Sequence, residues 1–240
     1  MAAPRIGILV CDHIPPELRA AAGGDYGDLY AAFLLAVEPP LELRTYDVVG
    51  GEGPTSPTEC DAWIITGSRH DAFADDAWLV ALRALIVELR ESSARTVGIC
   101  FGHQVIAQSL GGRVERAVAW KAGPQSLEVD TTPWFEGGAV HLNAMHRDVV
   151  VALPVDGVTI ATGATAALPA FLVGDTMLGI QDHPEFDAGY ISALIDFRRE
   201  RLGVATADRA LEAVATTPTD GPEVARWIVD FLLDRRRPAP

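Results

Sequence analysis

The segment from Thr96 to Leu110 joins a strand to a helix with no connecting loop between them. Its first five residues form a short, mainly apolar stretch that includes β-branched residues, and this predicts a buried strand ending at Cys100. Residues from His103 onward have helical character, and the pattern stops at Gly111-Gly112. A strand that passes directly into a helix is typical of α/β proteins, so this junction restricts the architecture more than any other feature.

The same alternation of strands and helices covers the first half of the chain. Besides Thr96–Cys100, strands are predicted at Arg5–Cys11, Leu41–Val49 and Asp61–Thr66. Helices are predicted at Gly27–Val37, Asp75–Arg90 and His103–Leu110, each with apolar residues at helical spacing. The predicted fold class is therefore α/β, with a mostly parallel central sheet flanked by helices on both faces.

The second half of the chain changes character. Short strands are predicted at Arg113–Arg116, Ser126–Val129, Ala139–Asn143, Val158–Ala161, Phe171–Val173 and Met177–Gln181, the last two joined by a hairpin turn at Gly174-Asp175. Helices follow near 188–202, 207–215 and 222–234. We expect one α/β domain over residues 1–190 and a helical extension over 191–240. The extension could pack on the domain, dimerise it or cover a site.

Composition narrows the possible functions. The 240 residues carry a formal net charge of −14, which disfavours electrostatic binding to nucleic acid or to an anionic membrane. No apolar run is long enough for a membrane span, and the first residues do not resemble a signal peptide. Three cysteines do not make a disulfide framework. We therefore expect a cytoplasmic protein. No metal-binding motif is present, so neither a metal nor a cofactor is expected.

Cys100 is the candidate nucleophile. Gly98 and Gly102 lie two residues to either side of it, and larger side chains there would collide with the neighbouring strand and helix. A tight strand-to-helix turn lifts the cysteine side chain clear of the sheet, and the helix N-terminus favours the thiolate. The amide of Phe101 would face a developing oxyanion. The alternative is a buried structural cysteine, which is our interpretation of Cys11 and Cys60.

His183 is the candidate base, because Glu185 follows it at two residues with Pro184 between them. Proline favours an extended conformation at His183, and alternate residues of an extended segment point to the same side. Glu185 could then hold one imidazole nitrogen and leave the other for the Cys100 sulfur. The alternative is a surface loop with an incidental histidine and glutamate. His103 is interpreted as a packed or partly exposed residue of the helix.

Together these motifs resemble the class I (triad) glutamine amidotransferases, the glutaminase module of GMP, anthranilate and carbamoyl-phosphate synthesis. The matching segments are Ile64–Ser68, Gly98–Gln104, Gly111-Gly112 and Gly179–Glu185, in the family's order and spacing. The resemblance covers roughly residues 5–190 and implies a flavodoxin-like α/β fold. Two features depart from the family pattern. The family's loop usually has two glycines and a proline where this chain has Thr66-Gly67-Ser68-Arg69, and Asp182 stands where the family often has an aromatic residue.

The resemblance also implies a mechanism. Cys100 would attack the side-chain amide of glutamine, His183 would move the proton, and Glu185 would orient His183. Amides of Gly67 or Ser68 and of Phe101 would bind the oxyanion. Substrate contacts would come from residues that match the family's binding positions: Gln104, Met145, His146, Arg147 and Asp148. For Arg147 and Asp148 a turn or helix start, with Asp148 capping Val149 onward, is an equal alternative.

Three functions remain open on these residues. The first is a glutaminase that hydrolyses glutamine and passes ammonia to a separate synthetase partner. The second is a stand-alone hydrolase of γ-glutamyl peptides or amides that uses the same triad. The third is a binding module with an inactive site, which the complete set of Cys100, His183 and Glu185 disfavours. Chaperone-like or isomerase proteins with a cysteine elbow are disfavoured because they lack the downstream His-Pro-Glu.

Overall fold

The computed structural model describes residues 3–38, 40–164 and 166–237. The strands are β1 (Arg5–Val10), β2 (Glu42–Asp47), β3 (Ala62–Ile65), β4 (Arg95–Ile99), β5 (Arg113–Val129), β6 (Gly138–Ala152), β7 (Gly157–Thr159), β8 (Ala161–Gly163), β9 (Ala170–Val173) and β10 (Met177–Ile180). The helices are α1 (Arg19–Ala22), α2 (Tyr26–Leu35), α3 (Ala77–Glu91), α4 (Phe101–Ser109), α5 (Ala188–Phe197), α6 (Arg199–Leu202), α7 (Val204–Thr216) and α8 (Gly221–Leu232). A 3-10 turn, Pro16–Leu18, precedes α1.

The central sheet has seven strands in the order β2-β1-β3-β4-β10-β9-β7. Neighbouring strands from β2 to β10 run parallel, and only β9 and β7 add antiparallel pairs at one side. The predicted α/β class with a mostly parallel sheet is therefore confirmed. The order places β4 beside β10, so the segments that follow these two strands leave the same edge of the sheet.

Side chains from both faces of this sheet are buried. Ile6 and Ile8 of β1 join one apolar core, whereas Leu9 of the same strand joins a second core on the opposite face. The second core also contains Ile86 of α3 and Val105 of α4. Burial on both faces explains why the strands appear in the sequence as continuous apolar runs rather than as an alternating pattern.

The three short strands predicted between residues 113 and 143 are strands in the structure, but their predicted lengths are wrong. β5 and β6 are two long antiparallel strands that form a separate sheet with β8. The sequence hides this length because Gly123 and Pro124 are residues typical of turns, although both pair with β6, and because residues 117–120 leave the pairing register. Outward-facing residues such as Val118 are fully solvated, so no regular apolar alternation marks the strand. The predicted strand Val158–Ala161 divides into β7 and β8, which belong to different sheets.

The C-terminal helices also differ from the prediction. The segment 188–202 is two helices, because the chain leaves the helical conformation at Arg198. The predicted helix 207–215 begins earlier, at Val204, after Gly203 with φ of 83°. The predicted boundary after residue 190 falls inside α5. Leu194, Val224 and Phe231 join the same core as Ile6 of β1, so these helices pack on the sheet.

No helix in the described ranges is long and apolar enough to cross a membrane.

Candidate active site

Cys100 lies between the last residue of β4 and the first residue of α4. Its backbone has φ of 53° and ψ of −100°, a conformation that non-glycine residues rarely adopt. The strain is held by two hydrogen bonds: the Cys100 amide donates to the Ile180 carbonyl at 2.8 Å, and its carbonyl accepts from the Gln104 amide at 3.0 Å. Such strain persists only where surrounding contacts enforce it, and it is a common property of functional sites.

The glycines on either side of Cys100 are required by close backbone contacts. A β-carbon at Gly98 would lie 2.4 Å from the carbonyl carbon and oxygen of Gly102. A β-carbon at Gly102 would lie 2.3 Å from the carbonyl oxygen of Ile65 in β3. Both distances are shorter than any van der Waals contact. The strand-to-helix turn therefore needs glycine at both positions, as the sequence predicted.

We expect Gly102→Ala to lower the free energy of unfolding by about 2–3 kcal/mol, because the added carbon overpacks rigid backbone. Chemical denaturation measures this. Gly53→Ala is the matched control, since a β-carbon at Gly53 meets no atom within 4 Å. Equal stability of the two variants would contradict the assigned packing.

His183 and Glu185 form a buried pair. The His183 Nδ1 atom lies 2.7 Å from Glu185 Oε1, and both side chains are almost fully shielded from solvent. The His183 amide donates to the Asn143 carbonyl of β6 at 2.8 Å in an isolated β-bridge, which holds His183 in an extended conformation. The imidazole stacks on Phe186 with ring centroids 3.9 Å apart. Glu185 therefore fixes the imidazole at its Nδ1 edge, and Phe186 fixes it on one face.

The protonation of His183 is set by opposing effects. Burial lowers the pKa of His183, but the charges of Glu185 and Cys100 outweigh burial and raise the pKa to about 10. The imidazole is therefore favoured in its protonated form at neutral pH.

Gly67 lies close to both the cysteine and the histidine. A β-carbon built on Gly67 would lie 2.9 Å from His183 Cε1 and 3.9 Å from Cys100 Cβ. The His183 ring and the Cys100 side chain therefore approach the same side of Gly67. The structure therefore brings together all three residues that the sequence singled out as nucleophile, base and orienting acid.

Tyr30 of α2 is a member of this group that sequence reasoning missed. Its hydroxyl donates to Glu185 Oε1 at 2.9 Å and accepts from the Gly67 amide at 3.2 Å. In the sequence Tyr30 is simply one of the apolar residues at helical spacing, and nothing local connects it to Glu185, 155 residues away. Only the tertiary structure shows that it links the acid to the Gly67 loop.

This contact changes the set of candidate oxyanion donors. The Gly67 amide is already engaged with Tyr30, which removes it as a free donor. Ser68 lines the cavity above Cys100, and Phe101 begins α4 directly after the cysteine. Within the described ranges, the amides of Ser68 and Phe101 have no hydrogen-bond acceptor. These two amides therefore remain candidates for binding an oxyanion.

The cavity above Cys100 has a volume of about 70 Å³. Its lining includes every predicted substrate contact: Gln104, Met145, His146, Arg147 and Asp148. The alternative of a turn or helix start at Arg147 and Asp148 is wrong, because both residues lie within β6. Asp148 accepts from Arg116 Nε at 2.9 Å instead of capping a helix. Gln104 Nε2 donates to the Asp148 carbonyl at 2.8 Å, which ties α4 to β6.

A second buried histidine–acid pair lies beside the first. His146 Nε2 is 3.1 Å from Asp182 Oδ1, and both side chains are shielded from solvent. Asp182 directly precedes His183, so the position where the family often has an aromatic residue here holds a partner for His146. His103 is fully buried rather than partly exposed, and burial lowers the pKa of His103 to about 3. It is therefore a neutral packing residue.

In the part of the chain that the structure describes, no group of three or more histidine, cysteine, aspartate or glutamate side chains could hold a metal ion.

The fold and the motifs of this site define a class. Residues 56–195, more than half of the chain, match the family "Glutamine amidotransferase class-I", and the chain belongs to that family. A crystal structure of a glutamine amidotransferase from Thermotoga maritima superposes with a TM-score of 0.73 over 98% of each chain, at 21% identity.

Two curated relatives differ in how much of their length the chain spans. Gamma-glutamyl peptidase 5 of Arabidopsis thaliana is 31% identical over 84% of this chain and 85% of that protein. GMP synthase [glutamine-hydrolyzing] of Thermotoga maritima is 29% identical over 67% of this chain but only 31% of that protein.

Proposed function

We propose that this protein is a cysteine hydrolase that cleaves γ-glutamyl amide bonds through a thioester on Cys100. The observation that carries the proposal is the strained cysteine at the strand–helix junction, facing an imidazole that Glu185 holds by its other edge. A nucleophile, a base and an orienting acid in this arrangement perform acyl transfer on several unrelated folds.

The proposed reaction has two halves. His183 already holds the proton at neutral pH, and the Cys100 sulfur, paired with this imidazolium, attacks the γ-carbonyl carbon. The resulting oxyanion is bound by the amides of Ser68 and Phe101. The C–N bond then breaks, His183 gives its proton to the departing nitrogen, and a γ-glutamyl thioester remains on Cys100. In the second half the now neutral His183 takes a proton from water, and the hydroxide attacks the thioester carbon. The C–S bond breaks, glutamate leaves, and the Cys100 sulfur is again paired with protonated His183.

The raised pKa of His183 supports its role. An imidazole that is readily protonated can keep the thiol proton during attack and then give it to the nitrogen. Glu185 stabilises the protonated imidazole. Because Glu185 binds the imidazole at Nδ1, the Nε2 atom remains free for the reaction. We assign the binding of the substrate's α-amino and α-carboxylate groups to the cavity wall formed by Gln104 and residues 145–148.

We favour γ-glutamyl peptides over glutamine as substrates. The chain spans 85% of a γ-glutamyl peptidase but 31% of a GMP synthase, and this difference in coverage supports the hydrolase. The second candidate is a glutaminase that gives ammonia to a synthetase partner. It is favoured by membership of the amidotransferase family, and it would use the same triad.

A substrate panel tests both candidates. Glutamate release is measured with glutamine, with γ-glutamylglycine and with α-glutamylglycine. In the last compound the peptide bond is formed by the α-carboxyl group instead of the γ-carboxyl group. We expect turnover of γ-glutamylglycine with a higher kcat/KM than glutamine, and no turnover of the α-linked isomer. Preference for glutamine would instead select the glutaminase. No glutamate from either γ-linked compound, in a protein whose Cys100 still reacts with iodoacetamide, would overturn the proposal.

A further inference from the structure

Arginine is concentrated around the cavity above Cys100. The whole chain has 19 lysine and arginine residues against 33 acidic residues. Five of those basic residues line this single cavity: Arg69, Arg116, Arg147, Arg198 and Arg201. The acidic residues of the same lining are Asp71 and Asp148. A strongly acidic protein thus presents a basic opening to its candidate nucleophile.

Two of these arginines are neutralised by nearby acids. Arg116 binds Asp148 at 2.9 Å and also contacts Asp71. Arg69 pairs with the buried Asp12 at 3.3 Å. These two guanidinium groups are therefore already committed to carboxylates of the protein itself.

The other three have no carboxylate partner within the described ranges. Arg147 Nε donates to the Ala117 carbonyl at 2.9 Å, so it is oriented without being neutralised. The Arg201 guanidinium lies 4.8 Å from the centre of the Trp120 ring, which orients it in the same way. Arg198 is half-buried and makes no ion pair. Three arginines therefore line the opening without a carboxylate partner among the described residues, and Arg147 and Arg201 are also oriented by neighbouring groups.

Arg198 and Arg201 also line a second cavity, which adjoins the first. This cavity has a volume of about 550 Å³ and shares Arg69, Arg198 and Arg201 with the cavity above Cys100. Its lining includes the largely apolar side chains of Tyr26, Tyr190, Leu194 and Phe197. Its acids are Asp12, which Arg69 neutralises, and the exposed Glu200. The space beyond the nucleophile is therefore large enough for more than ammonia.

The position of Arg198 is consistent with a charge facing this second cavity. Burial raises the pKa of Tyr190 to about 12, and the positive charge of Arg198 acts in the opposite direction. Arg198 is also half-buried and lines this cavity together with Tyr190.

We propose that Arg198 and Arg201 bind a carboxylate on the leaving amine, so that the second cavity is a subsite for the amino-acid or peptide half of a γ-glutamyl compound. This inference rests on the proposed function. Glutamine carries one carboxylate, on its glutamyl half, and Arg147 lies on the wall assigned to that half. A γ-glutamyl peptide carries a second carboxylate on the leaving amine, and a guanidinium fork suits it.

The test compares two substrates that differ only in that charge: γ-glutamylglycine and γ-glutamylglycinamide. We expect the wild-type protein to favour the free acid by about tenfold to a hundredfold in kcat/KM, the range of a charge-assisted hydrogen bond. In the double variant Arg198→Ala/Arg201→Ala this preference should disappear, while kcat/KM for the amide and for glutamine stays near wild type. Arg209→Ala is the control, because Arg209 is an exposed arginine of α7 outside both cavities.

The outcomes separate this inference from the proposed function. If neither γ-glutamyl compound is cleaved, the proposed function itself fails. If both are cleaved equally by wild type, or the preference survives in the double variant, the subsite is overturned and the hydrolase stands. An equal loss on glutamine and on both γ-glutamyl compounds would place the two arginines on the glutamyl half instead. Circular dichroism of the double variant verifies its fold.

Discussion

Replacing Cys100 by alanine should lower glutamate release at least about 10⁴-fold while leaving the fold intact. Loss of a covalent nucleophile removes the thioester route altogether, and comparable substitutions in triad hydrolases have effects of this size or larger. The substitution removes one sulfur atom and should change the free energy of unfolding by no more than about 1 kcal/mol. Turnover of γ-glutamylglycine and thermal unfolding measure the two effects.

Two further variants make this test specific. Cys60→Ala removes another buried cysteine, which is outside the lining of the cavity above Cys100, and should retain turnover. Cys100→Gly should be as inactive as Cys100→Ala but more stable by about 1 kcal/mol, because φ of 53° favours glycine. An active Cys100→Ala protein would exclude the thioester, and equal stability of the alanine and glycine variants would argue against strain at this residue.

Replacing Glu185 by glutamine should lower kcat by about 10³-fold or more, although the side chain keeps its shape. Loss of the orienting carboxylate in a triad costs on the order of 10⁴ in kcat. In this protein burial would then dominate the pKa of His183 and lower it, because the charge that raises it is gone. We therefore expect the pH profile of kcat/KM to move, in addition to the loss in rate.

The same substitution has a defined effect on stability. The pKa of His183 is raised from 6.5 to about 10 in the folded protein, so protonated His183 stabilises the fold fully below about pH 6.5. That contribution is lost as the pH rises toward 10. Thermal unfolding between pH 6.5 and 10 should show this loss in wild type and a weaker dependence in Glu185→Gln. Identical pH dependences would mean that Glu185 does not hold His183 in its charged form.

Tyr30→Phe is a milder change at the same site than Glu185→Gln. It keeps the Glu185 carboxylate but removes the hydroxyl that bonds both Glu185 and the Gly67 amide, so kcat should fall less, by about tenfold. Tyr46→Phe removes a different hydroxyl, which bonds Glu59, and should leave kcat unchanged. If Tyr46→Phe lowered kcat as much as Tyr30→Phe, the Tyr30 effect would be one of general packing.

The sequence was sufficient for features that are local. Gly98, Cys100 and Gly102 form a continuous turn, and His183 and Glu185 are two residues apart in an extended segment, so spacing alone predicts their geometry. The parallel sheet was likewise predictable, because burial on both faces leaves continuous apolar runs.

What the sequence missed depends on contacts between distant segments. Tyr30 meets Glu185, and His146 meets Asp182, only after the sheet has assembled. The engagement of the Gly67 amide follows from the same Tyr30 contact. The arginines at 198 and 201 appear in the sequence as ordinary surface charges of a helix. Only the packing of the C-terminal helices places them at the cavity.

The stacking of His183 on Phe186 has a consequence for the order in which the first product leaves and water enters. Glu185 occupies Nδ1 and the Phe186 ring covers one face, so in the proposed reaction Nε2 serves both halves. The first product has to vacate that nitrogen before water can occupy it. Steady-state kinetics should then be of the ping-pong type, and an added amine that reaches the same nitrogen would compete with water for the acyl group.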